Sequence, residues 1–445
     1  MAEKILTYKN LEVKGTKEFN LPLSKSIGAR HLMLSAICKR NIPSLGEHIE
    51  SIPRDLIDLV KALTDFDEGK TVINVAESGT AMRFMLSYIS VHTQSKVRLE
   101  GTGRQHERPI KPLVDALLQL GCNITYLEKP GYPPLLIEPA EIAPKPIKLD
   151  ASKSSQYLSS LLLLTPLIED KAFSIEPIGG MIASRPYIDI TIEILREYGF
   201  HWQYIDGVFR VASIPEKHLN INNLQLEGDW SAASYFYMLQ RLHPAESIQL
   251  KNLIIPSLQG DSKLLIKLYQ DLGVITTEVE NGIKLSSGKG RNTTEAIVVS
   301  CNQQPDLVPA LVATLIGLNR RFRIEGIAHL RLKESDRIAA LTTEISKLGI
   351  DLKANDDSLE WDGQSSQRSI TEPFKLSTYQ DHRIAMALAP LMASRNKLGV
   401  IIDNPECVSK SFPSYWAEIE KLGYTLKQTN ISIWEYYGLS LPLSH

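Results

Sequence analysis

The residues that could do chemistry begin with a charged stretch, Arg331 to Arg337, in which five of seven side chains are charged. Apolar periodicity resumes directly after it, so Ser335 or Asp336 is expected to cap a helix with Arg337 in its first turn. Cations crowded beside a helix N-terminus are typical of an anion-binding site, because free backbone N–H groups there also attract negative charge. Glu334 among these cations could transfer a proton. The alternative is a salt-bridged helix start on the protein surface.

Further polar groups stand at other predicted helix starts. LPLSKSIGAR places Lys25, Ser26 and Arg30 before an apolar helix, and Gly79 in ESGTAMR allows the backbone to approach a ligand closely. Hydroxyl, ammonium and N–H groups at such a position suit a phosphate. Comparable positions hold Arg108, Ser154, Ser155, Gln156, Ser184, Asp306, Arg383 and Lys410. Each of them, taken alone, is more typical of a structural helix cap.

Together these positions form a cationic set with few acids. If the helix starts face one cleft, the cations that meet there are Lys25, Arg30, Arg83, Arg108, Lys333, Arg337, Arg383 and Lys410. Like charges repel at close range, so this collection indicates a strongly anionic ligand. Acid–base chemistry among them could come only from Asp306, Glu334, Asp381 and His382. A ligand pair bearing phosphates and carboxylates fits, and a metal does not, because no cluster of metal ligands is left.

The elements that must position these residues recur along the chain. A helix that ends in glycine and leads into a strand appears repeatedly, about 75 residues apart, at Gly121, Gly199, Gly273, Gly349 and Gly423. The polar helix starts keep the same spacing, which predicts six repeats of a unit with two helices and several strands. The first unit is shorter by about 21 residues. We expect an α/β protein of two domains with three units each, because solenoid repeats are shorter, roughly 20–45 residues.

Length and charge limit the class of protein. A chain of 445 residues exceeds what one hydrophobic core usually serves. Its net charge of −2 excludes a generally basic nucleic-acid surface but not a local cationic pocket. The N-terminal MAEKILTYKN lacks the apolar stretch of a signal peptide, and no apolar run is long enough to span a bilayer. We therefore expect a cytoplasmic protein with no membrane or nucleic-acid partner.

Nine motifs resemble those of the EPSP synthase (3-phosphoshikimate 1-carboxyvinyltransferase) family, over essentially the whole chain. In the family's order they are LPLSKSIGAR, GTAMR, ERPI, SSQ, SRPYIDIT, EGDWSAASYF, RLKESDRI, DHRIAMA and SKSFP. The resemblance implies a two-domain inside-out α/β barrel, each domain built from three copies of one unit, which agrees with the repeat. One domain would hold residues 21–226 and the other residues 1–20 and 227–445. The active site would lie in the cleft between them.

The resemblance also implies a reaction, in which the enolpyruvyl group of phosphoenolpyruvate is transferred to the 5-hydroxyl of shikimate 3-phosphate and phosphate is released. On matching positions, shikimate 3-phosphate would be held by Lys25, Ser26, Arg30, Ser154, Ser155, Gln156, Ser184, Asp306 and Lys333. Phosphoenolpyruvate would be held by Lys25, Gly79, Arg108, Gln156, Arg337, Arg383 and Lys410. Asp306 would take the proton of the 5-hydroxyl, and Glu334 or Lys25 would protonate the methylene carbon. We expect no cofactor, no metal and a monomer.

Two positions depart from the family's pattern. Glu77 stands where the family usually has Asn, and its carboxylate would repel an anionic substrate unless it turns away or is neutralised by Arg83 or Arg108. His329 stands where an Asn often helps to bind the shikimate phosphate, so that role is not assigned to it.

Two other functions remain as alternatives. The related transferase that acts on UDP-N-acetylglucosamine shares the fold, but the SKS and DHR motifs favour shikimate and no reactive cysteine loop is found. A non-catalytic repeat scaffold that binds an anionic partner gives no reason for Asp306 and Glu334 to interrupt a cationic surface.

Overall fold

A computed structural model describes residues 3–10, 12–38, 52–216, 226–291, 295–366 and 370–429. Residues 39–51 of the shortened first repeat and residues 430–445 of the predicted second domain lie outside these ranges. Within them, no helix combines the length and the apolarity needed to cross a bilayer.

Short strands and helices alternate along the chain. The strands are β1 Lys4–Tyr8, β2 Thr16–Asn20, β3 Val72–Asn74, β4 Val97–Glu100, β5 Asn123–Tyr126, β6 Leu135–Glu138, β7 Pro146–Asp150, β8 Ser174–Ile178, β9 His201–Ile205, β10 Val208–Ser213, β11 Ser247–Lys251, β12 Val274–Val279, β13 Gly282–Ser287, β14 Ile297–Ser300, β15 Phe322–Glu325, β16 Lys353–Ala354, β17 Ser358–Trp361, β18 Phe374–Leu376, β19 Val400–Ile402 and β20 Tyr424–Gln428. The α-helices are α1 Lys25–Ile37, α2 Arg54–Asp67, α3 Gly79–His92, α4 Lys111–Gln119, α5 Ser155–Leu162, α6 Thr165–Ile168, α7 Arg185–Glu197, α8 Trp230–Leu242, α9 Asp261–Leu272, α10 Val308–Gly317, α11 Arg337–Ser346, α12 His382–Arg395 and α13 Tyr415–Glu420.

In the part of the chain that the structure describes, the strands form five sheets of four strands, and all five share one arrangement. Two strands run parallel at one edge and the other two add antiparallel, as in the order β3-β4-β6-β5. The other sheets have the orders β7-β8-β10-β9, β2-β11-β13-β12, β14-β15-β17-β16 and β18-β19-β1-β20. The described part of the first predicted unit consists of α1 and α2 and contains no sheet of this kind.

The five periodic glycines end helices, as the sequence predicts. They follow α4, α7, α9, α11 and α13, and all have φ between +75° and +96°. At Gly121 a side chain would in addition meet the carbonyl oxygen of Glu141, 2.7 Å from an added Cβ. Glycine is therefore required at this turn for both conformation and space.

The helices are of two kinds. In α12 the residues from His382 to Ala393 are all buried, whereas α2 buries a stripe that includes Leu56, Leu59 and Leu63. A helix with an apolar stripe covers a core from outside, but a helix that is buried on every face must be surrounded. Accordingly α8, α10 and α12 pack on one another, and strands pack against α8 and α12.

Two separate hydrophobic cores result. One extends from Ile27 to Val211 and defines what we call the first lobe. The other, the second lobe, contains Leu6, Phe19 and Leu21 together with residues from 230 to 424. The chain passes between the lobes beside an isolated bridge that pairs Leu23 with Gly228.

Candidate active site

A cavity between the two lobes collects polar residues from both, and we call it the central cavity. Its lining includes all but one of the residues that the family resemblance assigns to substrate binding or catalysis. These are Lys25, Ser26, Arg30, Gly79, Arg108, Ser154, Ser155, Gln156 and Ser184 from the first lobe and Asp306, Lys333, Glu334, Arg337 and Arg383 from the second. Lys410 is the exception, because it lines two adjoining cavities. Its Nζ lies 3.9 Å from Glu334 Oε1 and donates to the carbonyl of Glu77 at 2.9 Å.

The stretch Arg331–Arg337 forms the loop that enters α11. Asp336 caps the helix by accepting the backbone N–H of Ala339 at 3.0 Å, which identifies it rather than Ser335 as the cap. Its other oxygen lies 3.1 Å from Arg331 Nη1, so Arg331 and Asp336 hold the loop together. The loop residues Lys333 and Glu334 consequently line the central cavity.

Arg337 is the centre of a buried ion-pair network. Its guanidinium lies 3.0 Å from Asp306, 2.7 Å from Glu334 and 2.8 Å from Asp381, and its side chain is 1% exposed. Burial opposes the charge, but the three carboxylates outweigh burial and raise the pKa of Arg337 further. Three acids fix one guanidinium at the edge of the cavity, so its orientation is set before any ligand meets it.

Asp306 connects Arg337 to a second arginine. It lies in the short turn Pro305–Leu307 before α10, and its Oδ2 lies 2.8 Å from Arg383 Nη2. Burial alone would raise the pKa of Asp306, but Arg383, Lys333 and Arg337 lower it well below its usual range. Asp306 is therefore ionised and can accept a proton, and ligand anions that compete for these arginines would make it a stronger base.

Glu334 stands where the two lobes meet. Its carboxylate contacts Arg337, and its backbone carbonyl accepts a hydrogen bond from Arg104 Nη1 of the first lobe at 2.9 Å. Burial raises the pKa of Glu334, but Arg337, Lys410 and Arg108 outweigh that effect and hold it well below the usual value.

Asp381 and His382 do not line the central cavity, which removes them as direct acid–base candidates. Asp381 is fully buried behind Arg337, and both ring nitrogens of His382 are buried without a hydrogen-bond partner among the described residues. Burial, together with Lys25 and Arg383, lowers the pKa of His382 well below its usual value. The imidazole is accordingly neutral at physiological pH.

Lys25 enters the cavity from the start of α1. Its Nζ lies 2.9 Å from Asp55 Oδ2, a carboxylate whose role the sequence did not reveal. The only signal for Asp55 was its place among the periodic helix starts. Burial lowers the pKa of Lys25, but Asp55 and Glu334 more than compensate and raise it, so the ammonium stays charged.

Two buried arginines of the first lobe, Arg30 and Arg83, bond to neutral oxygens instead of carboxylates. Arg30 donates to Thr191 Oγ1, Ser159 Oγ and the carbonyls of Ser26 and Tyr187. These four bonds leave one of the five guanidinium donors for a ligand. Burial lowers the pKa of Arg30 to about 9.

Arg83 behaves in the same way. It donates hydrogen bonds to the backbone carbonyls of Gly79 and Pro109 and to Gln105 Oε1, and none of these oxygens carries a charge. Burial and the neighbouring Arg108 lower its pKa to about 10.

Gly79 is required by a neighbouring side chain. A Cβ at this position would lie 2.3 Å from Arg108 Nη1. The guanidinium therefore lies directly on the start of α3, where only hydrogen leaves enough room. The close approach that the sequence predicts for a ligand at Gly79 is made in this structure by Arg108.

Glu77 and His329, the two residues that depart from the family's pattern, differ in whether they line the central cavity. Glu77 lines the adjoining cavities and not the central one, so its carboxylate is turned away from the site. Arg83 does not neutralise it, because its hydrogen bonds go elsewhere. His329 does line the central cavity, and its buried Nε2 has no partner among the described residues. Burial, with Lys333 beside it, lowers the pKa of His329 to about 4, so the ring is neutral.

Metal ligands are not grouped in the described part of the chain. No three or more His, Cys, Asp or Glu side chains there are placed to hold a metal ion.

The fold and the cavity define an α/β protein with a site between two lobes, built for anionic small molecules. A family model described as "EPSP synthase (3-phosphoshikimate 1-carboxyvinyltransferase)" matches residues 40–419. A curated Bacteroides fragilis relative named 3-phosphoshikimate 1-carboxyvinyltransferase is 38% identical over 94% of this chain and 97% of its own. The chain therefore belongs to the EPSP synthase family, as its motifs predicted.

Solved structures show the same fold. An EPSP synthase structure from Acinetobacter baumannii matches 96% of this chain and 100% of its own, with a TM-score of 0.67 and 21% identity. The enolpyruvyl transferase NikO from Streptomyces tendae matches 96% of this chain and 99% of its own, with a TM-score of 0.63 and 14% identity. Because differently named transferases share this fold, the fold alone does not select the acceptor.

Proposed function

We propose that this chain transfers the enolpyruvyl group of phosphoenolpyruvate to the 5-hydroxyl of shikimate 3-phosphate and releases phosphate. The observation that carries the proposal is the central cavity, which gathers cations from both lobes around the ionised carboxylates of Asp306 and Glu334. Two phosphates and two carboxylates bring roughly six negative charges to the site. Arginine forks and the N-termini of helices are suitable counter-groups for such ligands.

The substrates divide between the lobes in this proposal. Lys25, Ser26, Arg30, Ser154, Ser155, Gln156 and Ser184 hold shikimate 3-phosphate on the first-lobe side, with Asp306 and Lys333 reaching it from the second. Phosphoenolpyruvate lies against Lys25, Gly79, Arg108, Gln156, Arg337, Arg383 and Lys410. All of these residues except Lys410 line the central cavity, which supports their acting on substrates bound together there. Lys410 would reach the ligand from beside Glu334.

The chemistry needs one base and one acid. Asp306 accepts the proton of the 5-hydroxyl while the hydroxyl oxygen forms a bond to the substituted carbon of phosphoenolpyruvate. Glu334 or Lys25 protonates the methylene carbon. Cationic character on the substituted carbon is stabilised by the nearby carboxylates. Phosphate then leaves, and loss of a proton from the new methyl group restores the double bond. For Glu334 to act as the acid it must first take up a proton, since Arg337 holds its pKa low.

The architecture that serves this site is a two-domain inside-out barrel of six units, with residues 21–226 in one domain and residues 1–20 and 227–445 in the other. The two separate cores and the five equivalent sheets support it. The contacts of Arg104 with Glu334 and of Lys410 with Glu77 join the two sides and would exclude water during turnover. The protein would work as a cytoplasmic monomer without a cofactor.

Phosphate release tests the proposal. The purified chain is given phosphoenolpyruvate with shikimate 3-phosphate or with UDP-N-acetylglucosamine, and turnover is expected only with the first acceptor. Asp306→Asn should abolish most of that turnover, whereas Asp356→Asn, at an exposed turn position, should not change it. Turnover with the UDP-sugar alone, or with neither acceptor, would contradict the proposed function.

A further inference from the structure

The turn before α12 has an unusual backbone. Tyr379 and Gln380 are consecutive, neither is glycine, and their φ angles are +54° and +56°. A side chain in this left-handed region is unfavourable, and such residues persist where surrounding contacts fix them. Two in succession therefore need strong contacts to hold the turn.

Two carboxylates supply those contacts. Glu344 of α11 is fully buried, and its oxygens accept the Tyr379 hydroxyl at 2.9 Å and the Ser377 backbone N–H at 3.1 Å. Asp403 accepts both the backbone N–H and the hydroxyl of Thr378, at 2.9 and 2.8 Å. Each of the three residues from Ser377 to Tyr379 is thus fixed by an acid.

The turn ends at the residue that orients the central arginine. The backbone N–H of Asp381 donates to the carbonyl of Thr378 at 2.9 Å, and its carboxylate accepts from Arg337 Nε at 2.8 Å and from Ser335 Oγ at 2.9 Å. Arg337 and Glu344 are seven residues apart on α11, about two turns, so they share one face of the helix. Helix α11 therefore holds the turn at both ends, through Glu344 at one and Arg337 at the other.

We propose that Glu344 and Tyr379 are positioning residues for the phosphoenolpyruvate side of the site, because they hold the turn that aims Asp381 at Arg337. Neither side chain lines the central cavity, so neither touches a ligand there. The inference rests on the proposed function in one respect, the assignment of Arg337 to phosphoenolpyruvate.

The repeat offers a matched control. The phrases Glu344-Ile-Ser-Lys347-Leu-Gly and Glu418-Ile-Glu-Lys421-Leu-Gly occupy equivalent places, and both glutamates are buried beside a lysine three residues on. The Glu418 carboxylate accepts a hydrogen bond from Lys421 Nζ at 2.6 Å and, among the described residues, none from a turn. For the tyrosine, Tyr237 is a suitable control, because its hydroxyl bonds Thr276 at 2.7 Å within the core of the same lobe.

The kinetic test compares Glu344→Gln and Tyr379→Phe with Glu418→Gln and Tyr237→Phe in the full chain. The first pair should raise KM for phosphoenolpyruvate about tenfold, with kcat and KM for shikimate 3-phosphate changed less than about threefold. The control pair should leave KM for phosphoenolpyruvate unchanged even where it lowers Tm. Equal effects in both pairs would mean that Glu344 and Tyr379 serve stability alone and would overturn the inference.

A second readout does not depend on turnover. Hydrogen exchange followed by mass spectrometry should show faster exchange at residues 333–338 and 377–382 in the first pair and not in the controls. If the wild-type chain lacks the proposed activity but this pattern appears, the proposed function fails and the positioning of Arg337 stands. Faster exchange confined to the surroundings of residue 344, or none, overturns the positioning itself.

Discussion

The two lobes treat their buried arginines in opposite ways. In the first lobe, Arg30 and Arg83 bond to hydroxyl, amide and carbonyl oxygens, and burial lowers their pKa values to about 9 and about 10. In the second, Arg337 and Arg383 contact carboxylates, which raise their pKa values. Among the described residues, Arg30 and Arg83 thus bond to no carboxylate, whereas Arg337 and Arg383 belong to an ion-pair network.

This difference assigns different work to the two sides of the cavity. Uncompensated charge in a buried site is costly without a partner, so the first lobe gains most from an anionic ligand. Paired charges gain less from a new anion, but the pairing fixes the orientation of Asp306 and Glu334. We therefore expect Arg30 and Arg83 to serve binding, and the ion-pair network of Arg337 and Arg383 to hold Asp306 and Glu334 in place as well.

Arg337→Ala is expected to have the largest effect. Its loss leaves Asp306, Glu334 and Asp381 without their shared cation, which should cost roughly 3–5 kcal/mol of stability. It should also lower kcat/KM for phosphoenolpyruvate roughly a hundredfold or more. Arg83→Ala leaves only neutral acceptors unpaired, so its stability cost should be smaller, roughly 1–3 kcal/mol. Denaturant unfolding measures the stability of the two variants, and steady-state kinetics measures their kcat/KM. Equal losses of stability in Arg337→Ala and Arg83→Ala would contradict the difference between the lobes.

Lys25→Ala tests the first lobe's contribution to binding. Removing the ammonium should lower kcat/KM for phosphoenolpyruvate by roughly a hundredfold. The double variant Lys25→Met with Asp55→Asn removes the unpaired acid as well, so it should recover stability but not activity, because the ammonium group that binds the substrates is still missing. Near-normal kinetics in Lys25→Ala would show that the charge on this side is not used.

Gly79→Ala should displace Arg108 without removing any charge. The new methyl group would lie 2.3 Å from the present position of Arg108 Nη1, so the guanidinium must move. We expect KM for phosphoenolpyruvate to rise about tenfold while the protein remains folded. The comparison is with Gly207→Ala, where an added Cβ meets nothing within 4 Å but φ is +79°, so stability falls and KM does not change.

His329→Asn should have the smallest effect and appear mainly in the pH dependence of stability. The pKa of His329 falls from 6.5 to about 4 on folding, so the unfolded chain binds the extra proton between these values. Stability due to this residue is therefore present above about pH 6.5 and is lost as pH falls toward 4. In His329→Asn, Tm should therefore fall less steeply as the pH is lowered from about 6.5 to about 4. If Tm falls as steeply as in the wild type, the ring binds its proton equally well in the folded chain.

The sequence predicted the recurring elements and the residues of the cavity, because both follow local rules. A glycine after each helix, a polar cap before it and a motif of charged residues are visible in short windows. The partners of those charges were not predictable. Asp381 was one of four acid–base candidates but orients Arg337 from behind, and Asp55 was not assigned to Lys25. Such pairs form between helices that are tens or hundreds of residues apart in the sequence, so a short sequence window does not predict them.

The position of β1 has a consequence for synthesis on the ribosome. Residues 4–8 form a strand between β19 and β20, with Lys4 opposite Ile402 on one side and Gln428 on the other. During translation this strand has no partners in its sheet until about 400 more residues have been made. The first lobe, whose core ends at Val211, can form long before that moment. Strand β1 thus waits for β19 and β20, and its sheet in the second lobe cannot be completed until both have been translated.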